Sequence, residues 1–302
     1  MKNFKIFSGS GNVALAAKVA KLLNSSLDKI EIATFADSEK RVRVEEEVAD
    51  KKAFVIASLS NPVDTHLVEL CLIADALKSN DASKLIAVVP YYGYGRQDKA
   101  HRAGEGVSAR VMAKLIEAAD FQKIVTVDLH SGLVEGFFRI PVIHLYGAQI
   151  FVPVLKKISH EIVIVSPDAG AAKRAQKLAE MLNVPLTYME KRRNLAKLHQ
   201  VEEMRFIGNT EGKTAVLVDD VATSGSTLVK SAYLLKDKGA KKIIACVTHA
   251  DLIGGTRQVL QESPIDKVYV SDTIAVPEEY KFPKLEIVSV APLLAEQIRK
   301  MI

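Results

Sequence analysis

The clearest chemical pattern in the sequence is a pair of carboxylates followed by a short loop of hydroxyls and one glycine. Asp219 and Asp220 end an apolar run, and the loop after them precedes a segment of helical period. The loop residues are Thr223, Ser224, Gly225, Ser226 and Thr227. Backbone N–H groups at a helix N-terminus bind phosphate, and neighbouring carboxylates accept hydrogen bonds from sugar hydroxyls or hold a divalent cation. The pattern predicts a sugar-phosphate site, with a helix cap on an acidic strand end as the alternative.

The elements that would position this loop are short β-rich runs alternating with longer segments of helical period. Several runs are apolar at consecutive positions, as expected for strands covered by helices on both faces. The alternation predicts mainly parallel sheets with right-handed crossovers. The predicted strands are Phe4–Phe7, Ile30–Thr34, Ala53–Ala57, Leu85–Val89, Lys123–Val127, Glu161–Val165, Leu186–Met189, Ala215–Val218, Lys242–Val247, Val268–Val270 and Glu286–Val288.

The pattern of the first half recurs in the second. The stretch from Lys5 into the following helix is similar to the stretch from Val163, and the run at Ala53 is similar to the run at Ala215. A shared offset in two places favours a duplicated domain, although any two strand–helix units look partly alike. We expect one domain over residues 1–145 and a second over 146–302, with the last helix packing back on the first domain.

Composition limits the class of protein. Of 302 residues, 48% are hydrophobic, and 41 Lys and Arg against 36 Asp and Glu leave a net charge of +5. So small an excess without a basic block argues against nucleic-acid binding and suits anionic small molecules. Two cysteines are too few for a disulfide scaffold. With no secretory signal and no run of 18 apolar residues, we expect a cytoplasmic protein without a membrane partner.

Further motifs occur in one order along the whole chain. They are Phe35-Ala-Asp-Ser-Glu, Pro90-Tyr-Tyr-Gly-Tyr-Gly-Arg-Gln-Asp, Val127-Asp-Leu-His-Ser, Gly136-Phe-Phe, Val165-Ser-Pro-Asp-Ala-Gly and Lys191-Arg-Arg. With the Asp219-Asp220 loop, this order resembles the ribose-phosphate diphosphokinases from residue 1 to about residue 300. The resemblance implies two tandem type I phosphoribosyltransferase-like domains, each a mainly parallel sheet flanked by helices. It also implies transfer of the diphosphoryl group of ATP to the C1 hydroxyl of ribose 5-phosphate, a transferase step in nucleotide biosynthesis.

The resemblance assigns the two substrates to different motifs. The Asp219-Asp220 loop would hold ribose 5-phosphate. A fork from Arg96 suits phosphate oxygens, while carboxylates and amides suit the amino group of a base. By residue type alone, an acidic turn and a surface loop explain these groups equally well. The implied ATP-binding residues are Phe35, Asp37, Glu39, Arg96 and Gln97.

The resemblance also implies a Mg²⁺ site and a cationic loop. It assigns His130 and Asp168 to the metal, although Mg²⁺ prefers oxygen ligands and a lone histidine is more often structural. It assigns Lys191 and Arg193 to catalysis, where they would stabilise charge on the transferred group as an arginine finger does. A solvated cationic face is the plain alternative for these two residues.

The sequence departs from the common form of this family in several places. Thr223 replaces an acid, Ser38 replaces a glycine, and Ala49 stands where an arginine is usual. The chain also lacks a Ser-rich C-terminal tail, so we expect weak or absent regulation by phosphate and ADP. A catalytically silent regulatory homologue is the alternative function. The resemblance further implies a homo-oligomer, built from dimers and extending to a hexamer.

Overall fold

The computed structural model describes residues 2–158, 161–192 and 203–302. The chain divides into two compact units. Unit 1 comprises Met1–Leu145, Thr273–Ala275 and Ser289–Ile302, and unit 2 comprises Tyr146–Asp272 and Val276–Val288. Whether the border predicted at residues 145 and 146 separates independently folding domains stays a prediction.

Unit 1 is built on a five-stranded parallel sheet of order β1-β4-β5-β6-β7. The strands β2 and β3 form a separate antiparallel hairpin. The elements up to the end of this sheet are β1 (Phe4–Ser8), α1 (Val13–Leu22), β2 (Ile30–Thr34), β3 (Lys40–Val44), β4 (Lys52–Ile56), α2 (Val63–Lys78), β5 (Lys84–Val89), α3 (Ser108–Ala118), β6 (Lys123–Val127) and β7 (Val142–Leu145).

Unit 2 is built on a seven-stranded sheet of order β10-β9-β8-β11-β12-β13-β14, in which only the β9–β10 pair is antiparallel. The remaining elements of the chain are α4 (Ala148–Leu155), β8 (Ile162–Ser166), α5 (Ala172–Leu182), β9 (Leu186–Arg192), β10 (Glu203–Ile207), β11 (Thr214–Ala222), α6 (Ser226–Asp237), β12 (Lys242–Ala250), α7 (Thr256–Glu262), β13 (Lys267–Ser271), β14 (Leu285–Val288) and α8 (Ala291–Arg299).

Helices cover both faces of the sheet in unit 2. Alternate residues of β11 point to opposite faces, so Ala215 and Leu217 pack in a cluster with helix α6, whereas Val216 and Val218 pack in a cluster with α4 and α5. This burial on two sides explains why the strand sequences are apolar at consecutive positions. The prediction of mainly parallel sheets flanked by helices is confirmed.

The helix that follows the last strand of each sheet belongs to the other unit. Helix α4 follows β7 but lies in unit 2, where it packs against α5. Helix α8 follows β14 but lies in unit 1, where it packs against α1 and Arg299 donates a hydrogen bond of 2.9 Å to the Leu22 carbonyl.

Strands β3, β7 and β10 were not predicted from the sequence. In β3 and β10, charged and apolar residues are mixed; β3 lies in a separate two-stranded sheet and β10 at the edge of its sheet. Strand β7 is apolar at three of its positions but has four residues, too short a run to distinguish a strand from other structure. Across residues 2–158, 161–192 and 203–302, no helix combines the length and apolar character needed to cross a membrane.

Candidate functional site

The acidic pair lies at the carboxyl end of β11, a strand flanked by β8 and β12. Asp220 is buried, Asp219 is half-buried, and the Asp220 N–H donates a hydrogen bond of 2.9 Å to Oδ1 of Asp219. Arg174 of α5 is also buried, and its Nη1 lies 3.7 Å from Oδ1 of Asp220. Ligands of open α/β sheets bind outside the carboxyl ends of the strands, and the pair occupies such a position.

Electrostatics in this region disfavour the ionised form of Asp219. The pKa of Asp219 is raised to about 8, first by burial and then by its neighbours Asp220 and Asp168, with a partial reduction from Arg174. Two carboxylates, one on the same strand and one on the loop after β8, therefore act on Asp219. Such a group gains stability from a cation or from hydroxyl donors that approach it.

Asp168 is held in the loop between β8 and α5. Its Oδ1 accepts a hydrogen bond of 3.1 Å from the Ala171 N–H, and its carbonyl accepts one of 2.7 Å from the Ser166 hydroxyl. A Cβ on Gly170 would lie 3.2 Å from Oδ1 of Asp168, so the turn closes tightly around the carboxylate. The structure thus places Asp168 beside the acidic pair, a grouping that the sequence did not predict.

The hydroxyl loop opens helix α6 as the sequence predicted. Gly225 is the residue before the helix, with φ of 71°, and no acidic residue lies in the first helical turn. A Cβ on Gly225 would lie 3.1 Å from Cδ2 of Leu260, so both the backbone and the available space favour glycine. Gly225 has no side chain to accept a hydrogen bond from the helix, and the Ser226 N–H donates one of 3.5 Å to the Ser224 hydroxyl.

The loop is fixed from the neighbouring connection between β12 and α7. The Thr223 carbonyl accepts hydrogen bonds from the Thr256 hydroxyl at 2.6 Å and from the Ile253 N–H at 3.3 Å. Ser224 and Ser226 hydroxyls lie 3.1 Å apart on the exposed side. The N–H groups and hydroxyls at the start of α6 suit the binding of a phosphate.

In unit 1, Phe35, Asp37 and Glu39 lie in the loop between β2 and β3. The Phe35 N–H donates a hydrogen bond of 2.8 Å to the Glu39 carbonyl, and the Glu39 N–H donates one of 3.1 Å to Oδ1 of Asp37. The Phe35 ring is 49% exposed and available for stacking, with the Arg41 guanidinium 5.9 Å from its centroid. Ser38 has φ of 76°, which a glycine adopts more readily.

This turn borders a cavity of about 420 Å³ beside the start of α2. The lining residues are Ser38, Glu39, Lys40, Asp64, Thr65, Val68 and Leu72. Oδ1 of Asp64 also accepts a hydrogen bond of 2.6 Å from Tyr94, two residues before Arg96. The structure therefore brings the Phe35–Glu39 turn and the loop that carries Arg96 and Gln97 to the same end of α2.

The loops carrying Arg96, Gln97 and His130 are neighbours after β5 and β6. A Cβ on Gly95 would lie 3.8 Å from Cβ of His130, and both Arg96 and His130 are exposed. The Gln97 carbonyl accepts a hydrogen bond of 3.2 Å from the Ala109 N–H, which ties the loop to α3.

A histidine of β7 supports the loop that carries His130. Nε2 of His144 accepts a hydrogen bond of 3.0 Å from the Leu129 N–H, and Nδ1 lies 2.6 Å from Oε1 of Glu135. We therefore assign the proton of neutral His144 to Nδ1, which donates to Glu135. The sequence analysis missed both residues.

Comparison with known proteins covers the whole chain. The model of the N-terminal domain of ribose phosphate pyrophosphokinase matches residues 4–119, and that of the phosphoribosyl transferase domain matches residues 154–282. Ribose-phosphate pyrophosphokinase of Caldanaerobacter subterraneus subsp. tengcongensis is 43% identical over 301 residues, 99% of this chain and 95% of its own. The chain belongs to the ribose-phosphate pyrophosphokinase family.

Other members of the ribose-phosphate pyrophosphokinase family agree with this assignment. The Bacillus subtilis member is 39% identical over 298 residues, 98% of this chain and 93% of its own. The crystal structure of phosphoribosylpyrophosphate synthetase from Mycobacterium smegmatis superposes with a TM-score of 0.92 at 36% identity, covering 99% of both chains. The resemblance drawn from the motifs is confirmed, and so is the fold of two phosphoribosyltransferase-like domains.

Two residues assigned to catalysis by this family resemblance have no described side chain. Lys191 lies in strand β9, where its backbone pairs with that of Met204. Arg193 lies outside the described residues. Their catalytic roles stay predictions, as do the roles of the other site residues.

The predicted Mg²⁺ site depends on the donors that the chain supplies. Among the described residues, no three His, Cys, Asp or Glu side chains converge on a common point that could hold a metal ion. Mg²⁺ commonly binds through one or two carboxylates together with waters and substrate phosphates. The Asp168 carboxylate beside the Asp219 and Asp220 charges fits this kind of site.

Arg174 was missed because it lies outside the quoted motifs, four residues after the Val165–Gly170 motif and within a segment of helical period. The sequence did contain a signal for Arg174, because this residue lies four positions before Leu178 on the apolar stripe of α5. A charged residue on such a stripe indicates a buried ion pair. The same signal marks Glu69 on the apolar stripe of α2, four residues before Ile73.

Proposed function

We propose that this chain is an active ribose-phosphate diphosphokinase that uses ATP and ribose 5-phosphate to form 5-phosphoribosyl 1-diphosphate and AMP. The main support is structural: in unit 2, Asp219 and Asp220 precede a helix whose N-cap residue is Gly225. The chain also matches this family along nearly its whole length. The reaction supplies an activated ribose for nucleotide biosynthesis, and we place it in the cytoplasm. A homo-oligomer built from dimers is part of the proposal.

Unit 2 would bind the acceptor. The N–H groups and hydroxyls of Thr223–Thr227 would hold the 5-phosphate, since they open a helix without an acidic first turn. Asp219 and Asp220 would accept hydrogen bonds from the ribose hydroxyls. Arg174 keeps the second carboxylate in place through its buried ion pair. This arrangement orients the sugar so that its C1 hydroxyl can attack in line.

Unit 1 would bind the donor. The exposed Phe35 ring offers a stacking surface for adenine. Arg96 would pair with phosphate oxygens, while Asp37, Glu39 and Gln97 would accept or donate hydrogen bonds to the base and ribose. These residues bind and orient the nucleotide and take no covalent part in the reaction.

Charge neutralisation would come from cations. His130 and Asp168 would hold Mg²⁺, which neutralises negative charge on the diphosphoryl oxygens when bound. Lys191 and Arg193 would approach the transferred group and stabilise the charge that develops on it.

The decisive experiment measures AMP formed by the purified protein from ATP. We expect AMP only when ribose 5-phosphate and Mg²⁺ are both present, with stoichiometric 5-phosphoribosyl 1-diphosphate. In Asp220→Asn the lost charged hydrogen bonds, worth about 1.5–3 kcal/mol, should reduce kcat/KM for ribose 5-phosphate about 10- to 100-fold.

The matched control is Asp237→Asn, which neutralises an exposed acid at the end of α6 in the same unit. We expect wild-type kinetics for this variant. Absence of AMP in the wild-type reaction would contradict the proposal and favour the regulatory homologue. Release of ADP instead of AMP would contradict diphosphoryl transfer.

A further inference from the structure

Glu69 of α2 is a nearly completely buried carboxylate outside the motifs. Its exposure is 1%, and three donors surround it. Oε1 accepts a hydrogen bond of 2.5 Å from the Ser10 N–H, while Oε2 accepts one of 2.7 Å from the Ser10 hydroxyl and one of 2.7 Å from Nζ of Lys40. The carboxylate thus joins the loop after β1, the middle of α2 and the start of β3.

Lys40 connects this network to the candidate nucleotide turn. It is the first residue of β3, and it directly follows Glu39, whose carbonyl closes the turn with the Phe35 N–H at 2.8 Å. Lys40 also lines the cavity of about 420 Å³ together with Ser38 and Glu39. The position of its side chain therefore sets where the turn lies against α2.

The rest of the hairpin contacts the same helix through apolar residues. Val42 and Val44 of β3 pack against the core cluster that contains Leu67 and Leu70 of α2. The apolar contacts fix the far part of β3, whereas the Lys40–Glu69 pair is the polar contact next to the turn. The β2–β3 hairpin is a separate two-stranded sheet, so the turn has no sheet neighbour to fix it.

The pair is well shielded from water. Side-chain exposure is 11% for Lys40 and 2% for Glu69, so their attraction is less screened than that of a surface pair. Burial raises the pKa of Glu69, but the hydrogen bonds from Lys40 and Ser10 lower it by more. The net pKa of Glu69 therefore lies below its ordinary value. Removing either partner leaves the other buried without its counter-charge.

We propose that Lys40 and Glu69 are positioning residues for nucleotide binding, holding the Phe35–Glu39 turn against α2 in the geometry that binds ATP. This inference rests on the proposed function. If the pair only stabilised unit 1, its loss would reduce the amount of folded protein. The apparent kcat would then fall, and neither KM would change. A positioning pair affects the KM for ATP, because the turn carries ATP-binding residues and no acceptor-binding residues.

The test compares steady-state kinetics of the full chain with two substitutions. Lys40→Met keeps the length of the side chain and removes its charge, and Glu69→Gln keeps the volume and removes the counter-charge. We expect each to raise the KM for ATP about tenfold, the equivalent of one lost interaction of moderate strength, while the KM for ribose 5-phosphate stays within about twofold. Lys40→Arg should restore most of the ATP affinity, because it retains the charge and its donors.

Lys5→Met is the matched control. Lys5 forms a partly buried ion pair in the same unit, at 2.7 Å from Asp28 and 3.1 Å from Glu46, and neither acid belongs to the turn. An unchanged KM for ATP in Lys40→Met and Glu69→Gln, or an equal rise in Lys5→Met, would overturn the positioning role alone. Absence of any wild-type turnover would overturn the proposed function and the positioning role with it. If Lys40→Met does not fold, Glu69→Gln and Lys40→Arg decide.

Discussion

Units 1 and 2 each hold a carboxylate away from water, and the two carboxylates have opposite pKa shifts. The pKa of Glu69 is lowered because hydrogen bonds from Lys40 and Ser10 outweigh burial. The pKa of Asp219 is raised to about 8 because burial and the neighbouring Asp220 and Asp168 act in the same direction. Burial alone therefore does not decide the shift; the donors supplied by the chain do. Glu69, which has hydrogen-bond donors within the chain, stabilises the fold. Asp219, which lies among like charges, is suited to binding a ligand.

The two units also share the order of their strand connections and differ in the residues at the carboxyl ends of the strands. Strand orders β1-β4-β5-β6-β7 and β8-β11-β12-β13-β14 follow the same sequence of connections, and each has a hairpin after its first helix. Strand β11, before α6, carries Asp219 and Asp220 near its carboxyl end, whereas the corresponding positions after β4, before α2, are Ala57 and Ser58. Function therefore differs through the loops at the carboxyl ends of the strands, on a shared frame.

The largest expected effect separates one cation on each of the two hairpins, Lys191 in unit 2 and Arg43 in unit 1. Lys191 lies on the β9–β10 hairpin of unit 2. If Lys191 has the proposed catalytic role, Lys191→Ala should lower kcat on the order of 10³-fold or more, because the cation that would stabilise the transferred group is gone. The melting temperature should stay unchanged. Steady-state kinetics combined with thermal unfolding measure both quantities.

The control for this prediction is Arg43→Ala on the β2–β3 hairpin of unit 1, which removes an exposed cation from a strand in the equivalent hairpin. We expect turnover close to wild type. Near-normal turnover of folded Lys191→Ala would remove the proposed catalytic role. An equal loss in both variants would show that general positive charge, and not this position, matters.

A smaller effect follows from Gly225, the left-handed glycine of the Thr223–Thr227 loop, which is the candidate phosphate loop. Gly225→Ala puts a side chain at φ of 71° and 3.1 Å from Cδ2 of Leu260, so backbone strain combines with a tight contact that the Leu260 side chain must relieve. We expect a loss of about 2–3 kcal/mol in the free energy of unfolding, from backbone strain and overpacking together. The KM for ribose 5-phosphate should rise as well. Chemical denaturation and kinetics provide the two measurements.

Gly212→Ala is a close control, because Gly212 also has φ of 71° but a Cβ there would meet nothing within 4 Å. It should lose only the cost of the left-handed backbone, about 1 kcal/mol, with normal kinetics. Equal destabilisation of the two variants would show that the contact with Leu260 carries no energy.

The phosphate loop could be predicted because all its residues are contiguous in the sequence. The partners of Arg174 and Glu69 could not be predicted, although their places on apolar helix stripes mark both as buried. Arg174 of α5 meets Asp220 of β11, and Glu69 meets Lys40, only after the chain folds. The parallel strands were recognisable from their continuous apolar runs. In β3, exposed cations at Arg41 and Arg43 alternate with half-buried residues and hide the strand among polar sequence.

The opposite pKa shifts predict opposite dependences of stability on pH. The folded pKa of Asp219 exceeds its unfolded value, so folded protein retains a proton that unfolded protein loses, and its stability falls from about pH 4 to about pH 8. Asp219→Asn removes this titration and should gain stability relative to wild type across that window. Urea unfolding without divalent cations, at several pH values, measures the difference.

Glu69→Gln should show the reverse relation. The folded pKa of Glu69 lies below its unfolded value, so its contribution is complete at neutral pH and is lost as pH falls through the folded pKa. Wild type should therefore exceed Glu69→Gln in stability at pH 7, and the two should converge in acid. Parallel pH profiles for Asp219→Asn and Glu69→Gln would contradict the contrast between the two carboxylates.

The smallest expected effect concerns the second left-handed loop residue of the candidate site. Ser38 has φ of 76°, and Ser38→Gly should relieve about 1–2 kcal/mol of backbone strain while adding about 0.5–1 kcal/mol of unfolded-state entropy. We expect a net gain of about 0.5 kcal/mol in the free energy of unfolding. The control is Ser79→Gly at the end of α2, where φ is −63° and the same change should destabilise. A loss of stability in both variants would show that Ser38 forms contacts that offset its strain. The left-handed backbone would then destabilise the protein at Gly225→Ala but carry no net cost at Ser38, so the two segments would differ despite their similar φ angles.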